Sequence, residues 1–266
     1  MKSSEQLQYE GFLKTPQLWE GSLLGLQQIN LPQINTLQLT TSILQKRLGH
    51  RVEQFVFHEL ENNTNCQITA TNLQIIENKI TLGELDCMIQ YHNISIHLEI
   101  VYKFYLYDQT VGNTAIEHWI GPNRKDSLID KLTKLKNKQL PLLQHPTTLL
   151  TLKNININIE KMKQQVYFKA QLFVPIHLLQ HSFLTINKEC ISGFYISFSK
   201  LSTLKNSFFY IPTKLEWLIK PHQNTQWISF EKFRLQILPF IKNNQSPMCW
   251  IKSKKGELQK FFITWW

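Results

Sequence analysis

The stretch from Cys66 to Tyr107 constrains the fold most, because its apolar residues recur with a period of two along its whole length. Residues 66–77, 80–91 and 94–107 are expected to be three strands joined by two-residue turns at Asn78-Lys79 and His92-Asn93. Asn tolerates the positive φ that such hairpin turns demand. In the third strand Ile94, Ile96, Leu98, Ile100, Tyr102, Phe104 and Leu106 point one way. Ser95, His97, Glu99, Val101, Lys103, Tyr105 and Tyr107 point the other way. This alternation predicts a sheet with one face on the core.

With His92-Asn93 as the loop, Tyr91 faces Ile94, and Leu85, Cys87 and Ile89 face Ile100, Leu98 and Ile96. A slip of one residue would mix the two faces, so the register is well specified. On the second face Asp86 falls opposite Glu99, Glu84 opposite Val101 and Met88 opposite His97. Like charges directly across a strand pair are destabilising, so protonation, a basic neighbour or a cation must offset them. Mg²⁺ takes carboxylate oxygens and keeps positions open for water and phosphate. The pair is therefore either a metal cradle or a solvated polar face that tolerates the repulsion.

Around these strands the pattern is helical. Residues 8–30 suggest one or two short helices broken near Pro16 and Pro32, and residues 36–61 a longer one. In the latter, Leu48, Val52, Phe55, Val56 and Leu60 form an apolar stripe of helical period. Residues 126–140 predict a helix with Leu128, Ile129, Leu132 and Leu135 on one stripe, stopped by Pro141, and a shorter helix follows near 146–154. Residues 165–174 alternate again as a fourth strand. The last 90 or so residues look α+β: a strand at 190–199, a Leu-Glu-Trp-Leu cluster within 214–220, a helix at 230–243 and a hairpin of 249–253 with 258–265. The expected organisation is an N-terminal helical segment (1–45), an α/β core of order αβββαβ (46–176) and a C-terminal α+β extension packed on it (177–266).

Composition sets the class of partner. The chain is 42% hydrophobic and 12% aromatic, which excludes general disorder. Its net charge of +10 favours anionic partners, nucleic acid or acidic lipid. Only four of the 29 basic residues are Arg, and the Lys, Asn and Ile enrichment is also what an A/T-rich coding sequence would give. The four cysteines show no C-x-x-C pair and no metal spacing. No apolar run approaches membrane-helix length, and Met1–Gln6 has no apolar h-region. A cytoplasmic protein without membrane attachment is expected.

The segments Gly83-Glu84-Leu85-Asp86 and His97–Leu106, with Lys103 inside the second, resemble a bacterial family of unknown function, domain-of-unknown-function family 1853. Leu48–Glu53, Gly121–Lys131 with Gln139-Leu140, Leu215–Leu218 and Phe261–Trp266 are also similar to it. The family is placed in the PD-(D/E)XK nuclease superfamily, which implies a restriction-endonuclease-like core of the αβββαβ order read above. The resemblance implies that Asp86 and Glu99 bind Mg²⁺ or Mn²⁺, that Lys103 positions or activates the attacking water, and that Glu53 is an auxiliary acid. The superfamily spacing is E-x-K, whereas Val101 holds that position here and Lys103 lies two residues further, roughly 13 Å along the strand from Glu99. A β-bulge could close that gap, or a Lys from the following helix could substitute.

Arg124, Lys125, Lys131, Lys134, Lys136 and Lys138 make 124–138 strongly basic, either a solvated helix face or a phosphate-contacting one. His97 is either a ligand or a carboxylate partner, and Trp265 and Trp266 either pack or stack on bases. His58 and His118 have no partners in metal spacing, and no Walker, G-x-S-x-G or G-x-G-x-x-G motif occurs. The leading expectation is Mg²⁺-dependent phosphodiester hydrolysis on DNA, with Arg124, Lys125, Lys131, Lys134 and Lys138 contacting the nucleic acid. The alternatives are a non-catalytic nucleic-acid-binding or assembly protein that retains the fold, and a protein–protein module whose charge reflects codon usage.

Overall fold

A computed structural model describes residues 2–31, 38–40, 43, 45–181, 183 and 185–266. In chain order the elements are α1 (Ser4–Leu13), β1 (Ser22–Leu23), β2 (Leu26–Gln27), α2 (Leu48–Glu61), β3 (Cys66–Glu77), β4 (Ile80–Tyr91), β5 (Ile94–Tyr107), β6 (Trp119–Ile120) and α3 (Leu128–Lys134). Then come α4 (Pro146–Asn154), β7 (Lys163–Pro175), β8 (Ile191–Ser197), β9 (Phe208–Tyr210), α5 (Phe230–Lys242), β10 (Met248–Lys252) and β11 (Leu258–Thr264). The architecture is mixed α/β. Among the described residues no helix is long and apolar enough to cross a membrane. All four cysteines are free thiols.

The chain divides into two compact units interleaved in sequence, one built from 17–102 and 130–169, the other from 1–16, 103–129 and 170–266. In the first unit the strands lie in the order β3-β4-β5-β7. The two hairpins turn where expected: Asn78, Lys79, His92 and Asn93 all have positive φ, the signature of a type I′ turn. The β4–β5 register is also the expected one, with Tyr91 on Ile94, Ile89 on Ile96, Met88 on His97 and Cys87 on Leu98. Helix α2 buries Val52, Phe55, Val56 and Leu60. A second cluster packs Ile75, Leu85 and Met88 against Leu143 and Leu152.

Four expectations are corrected in this unit. The helix of residues 36–61 starts at Leu48: residues 38–40, 43 and 45–47 are not helical, and the rest of its expected start lies outside the described residues. Residues 17–30 form the β1–β2 hairpin instead of a helix, because Gly21, Leu24 and Gly25 take positive φ and reverse the chain. The face of β5 that carries His97 and Glu99 is not open to solvent; both side chains are fully buried. The cover comes from the segment after α3, which does not stop at Pro141. Pro141 has no N–H and its ring crowds the carbonyl four residues back. The helix therefore widens into a π-turn over Leu135–Gln139 and then tightens into a 3₁₀ stretch over Leu140–Gln144. Gly83 lets that stretch approach β4: a Cβ there would sit 2.7 Å from a methyl of Leu142.

In the other unit the strand order is β7-β8-β11-β10-β9, and β6 pairs with β5. The β7–β8 and β8–β11 pairs are parallel, and the β11–β10 and β10–β9 pairs antiparallel. Helix α5 packs Phe233 and Ile237 on Phe209, Cys249, Phe261 and Ile263. The expected strand of 190–199 ends at Ser197 in a 3₁₀ turn, and β9 is an additional strand that its three residues made invisible as a pattern.

A buried carboxylate site on β4 and β5

The site begins where the β4–β5 ladder ends. Cys87–Leu98 is its last backbone pair, and Asp86 and Glu99 are the next residues on the two strands. There the Asp86 side chain replaces a backbone acceptor: its Oδ2 takes the N–H of Ile100 at 2.9 Å. No described residue donates to Asp86 Oδ1. Burial pushes the Asp86 carboxyl up to about 7; the charges of Glu99 and Glu53 add to the rise, and Lys131 opposes it.

Glu99 is held at both oxygens. His97 Nε2 lies 3.1 Å from Oε1, and the Gln139 amide donates to Oε2 at 2.5 Å. Gln139 in turn accepts from Lys131 Nζ at 2.8 Å. The Gln164 amide lies 3.3 Å from His97 Nδ1, which places the ring proton on Nε2, pointing at Glu99. A second acidic pair flanks the first. Asn72, at positive φ on β3, donates to Glu53 Oε2 at 3.3 Å and to Glu84 Oε1 at 3.1 Å. His50 Nδ1 lies 3.1 Å from the same Glu53 oxygen.

Four carboxylates, Glu53, Glu84, Asp86 and Glu99, thus meet one lysine, Lys131, within a single unit. The protonated Asp86 is one answer to that imbalance and a divalent cation is the other. The donor set fits Mg²⁺, which takes hard carboxylate oxygens and completes its shell with water and substrate phosphate. Asp86 Oδ1 is available, and each Glu99 oxygen keeps a lone pair beyond its hydrogen bond. Among the described residues no three His, Cys, Asp or Glu side chains come together as a preformed metal cage, so water and phosphate would have to supply most of the shell. An open cleft of about 550 Å³ beside α2 and β3, lined by residues such as Gln54, His58 and Thr71, includes none of these carboxylates.

A model of the family described as Domain of unknown function (DUF1853) matches residues 7–261. The chain belongs to that family. No curated protein and no solved structure matches it. The matched span contains every residue of the site, and most of the other positions singled out from the sequence of this DUF1853 protein.

Those other positions divide. Lys103 is half-buried and forms an ion pair with Asp126 at 2.7 Å, both in the unit that does not hold Asp86 and Glu99. The lysine whose charge acts on Asp86 is Lys131, from the helix after the third strand. Arg124 is bound to Asp108 and lies 4.1 Å over the Trp266 ring, while the Trp266 indole donates to the Pro122 carbonyl at 3.1 Å; this tryptophan packs. Lys125, Lys134 and Lys138 are exposed. The residues that sequence reasoning missed are Asn72, Gln139 as a site residue, Gln164 and His50. In a chain this rich in Asn and Gln, no spacing marks a particular amide.

Proposed function

We propose that this DUF1853 chain is a Mg²⁺- or Mn²⁺-dependent nuclease with a restriction-endonuclease-like, PD-(D/E)XK-type core, acting on phosphodiester bonds of DNA. The observation that carries the reading is the placement of Asp86 and Glu99 at the point where β4 and β5 stop pairing, with Lys131 charged beside them. The element order supports the reading: α2 precedes the three strands, and α3, then α4, precede β7, with the two-residue β6 inserted after β5.

In this reading Asp86 and Glu99 would hold the cation. A bound Mg²⁺ would neutralise charge on the scissile phosphate and help to orient it. Lys131 takes the part that the resemblance assigns to Lys103: its ammonium steadies the attacking water and the charge that develops on phosphorus-bound oxygen as the leaving oxygen departs. Glu53, linked to Glu84 through Asn72, supplies auxiliary negative charge at the rim. Exposed Lys134 and Lys138 provide backbone contacts that do not depend on base sequence.

The test is incubation of the purified protein with duplex and single-stranded DNA in Mg²⁺ or Mn²⁺, with Asp86→Asn and Glu99→Gln as controls. Cleavage by the wild type that both substitutions abolish, in proteins that melt no earlier than the wild type, supports the reading. Cleavage that survives both substitutions, or none by the wild type, overturns it. A second reading, nucleic-acid binding without cleavage, is favoured by the ion pair that ties Lys103 to Asp126. It predicts salt-dependent DNA binding with no metal-dependent product.

A further inference from the structure

Gln139 sits at the end of the π-turn, and its amide touches both sides of the site's charge balance. Its Oε1 accepts from Lys131 Nζ at 2.8 Å and its Nε2 donates to Glu99 Oε2 at 2.5 Å. Lys131 lies eight residues before Gln139 and Glu99 forty before it, so no local rule of helix or strand spacing brings the three together. The backbone that delivers Gln139 is itself unusual. The Leu140 N–H bonds the Leu135 carbonyl, five residues back, and such single-turn widenings recur at functional sites because they re-aim a side chain without ending the helix. An α-helical continuation would rotate residue 139 by part of a turn and break both bonds.

We propose that Gln139 is the positioning residue of this site: its amide joins the Lys131 ammonium and the Glu99 carboxylate into one hydrogen-bonded chain, so that each is correctly oriented only while the other is in place. The inference rests on the nuclease reading above and adds to it a residue that touches neither metal nor substrate. An amide suits the task because it donates to the carboxylate and accepts from the ammonium at once, and carries no charge that would compete with the cation. His97, supported by Gln164, restrains the other Glu99 oxygen. Freeing Oε2 alone therefore leaves Glu99 bound but able to turn.

The experiment compares wild type, Gln139→Met, Lys131→Met and the double variant, reading kcat and KM for cleavage, Mn²⁺ affinity by calorimetry, and thermal melting. Outer partners of metal ligands are typically worth about 10–100-fold in affinity or activity. Q139M should lower kcat by that factor and weaken Mn²⁺ about tenfold, with KM for DNA within about threefold and melting unchanged. The double variant should be no worse than K131M alone, because the two act through one chain. Unchanged kcat and Mn²⁺ affinity in Q139M, or losses that multiply in the double variant, overturn the proposal. Should Q139M melt early, its turnover and Mn²⁺ affinity are read well below its melting temperature, and wild-type values there would also overturn it. A wild type that binds Mn²⁺ without cutting DNA defeats the nuclease reading alone, and the tenfold loss of Mn²⁺ affinity in Q139M then decides the role of Gln139. A wild type that binds no Mn²⁺ defeats both.

Discussion

Asp86 is half-buried in one unit and Lys260 fully buried in the other, and the protein deals with them differently. Asp86 is half-buried beside further carboxylates, keeps an oxygen to which no described residue donates, and is pushed up to about 7. Lys260, on β11, is buried with no carboxylate acting on it, and burial alone lowers it to about 7. Its Nζ donates to Gln171 Oε1 at 2.8 Å and to the Trp217 carbonyl at 2.6 Å. A neutral amine has two N–H groups, so two neutral acceptors satisfy it. The lysine is a closed internal bond, whereas the acidic site sets one lysine, Lys131, against several carboxylates. Burial of an ionisable group therefore does not mark a functional site by itself; unbalanced charge together with a spare ligand atom does.

The lysines offer the sharpest test. Replacing Lys131 with Met should reduce the rate of metal-dependent cleavage by about 10²–10⁴, the usual range for a positioned proton-handling or charge-stabilising group. Lys103→Met should stay within a few-fold of wild type, since Lys103 is committed to Asp126. Assays showing the reverse order would return the catalytic role to Lys103 and remove Lys131 from the site.

The two buried groups also predict opposite pH trends in chelator-treated protein. Lys260 holds fewer protons folded than unfolded between about pH 7 and the free-lysine value of 10.5. Stability from this group is therefore complete above 10.5 and is lost as pH falls through 7, by on the order of 3 kcal/mol. Lys260→Met should flatten that rise in denaturant titrations. Its gain is offset by the loss of the Lys260 hydrogen bond to Gln171 Oε1, at about 1–3 kcal/mol, while the Trp217 carbonyl keeps the Gln171 amide as a donor. Asp86 runs the other way. It holds more protons folded than unfolded between about pH 4 and 7, so its stability is complete below 4 and is lost as pH rises through 7. Asp86→Asn should remove that decline and stabilise the metal-free protein above pH 7 by on the order of 1–3 kcal/mol. Identical slopes in wild type and variant would show that these groups titrate normally and would erase the contrast.

The smallest effect concerns the exposed lysines. Lys134→Gln with Lys138→Gln should lower the slope of log affinity against log salt by about 0.9 for each phosphate of duplex DNA that the variant no longer neutralises. An unchanged slope would assign these residues to a solvated helix face.

The three strands and both turns were legible in the sequence because their physics is local. Period-two alternation and Asn at positive-φ positions act within a few residues, and a one-residue slip would have moved every apolar side chain of the hairpin to the opposite face. The Asp86–Glu99 juxtaposition followed from the same register. The helix after β5 was legible only as far as Lys134, since alternation and stripes do not say what a helix does on meeting Pro141. The sequence by itself determined the three central strands, their two turns and the β4–β5 register from Tyr91–Ile94 to Cys87–Leu98; the expected pairing of residues 84–86 beyond it is not formed. Only the tertiary structure decided that Glu99 is wholly buried, that the lysine whose charge acts on Asp86 is Lys131, and that Gln139 and Asn72 bind the carboxylates. Those hydrogen bonds join residues twelve to forty positions apart, and a buried charge accepts whichever donor the packed chain brings within reach, whatever its place in the sequence.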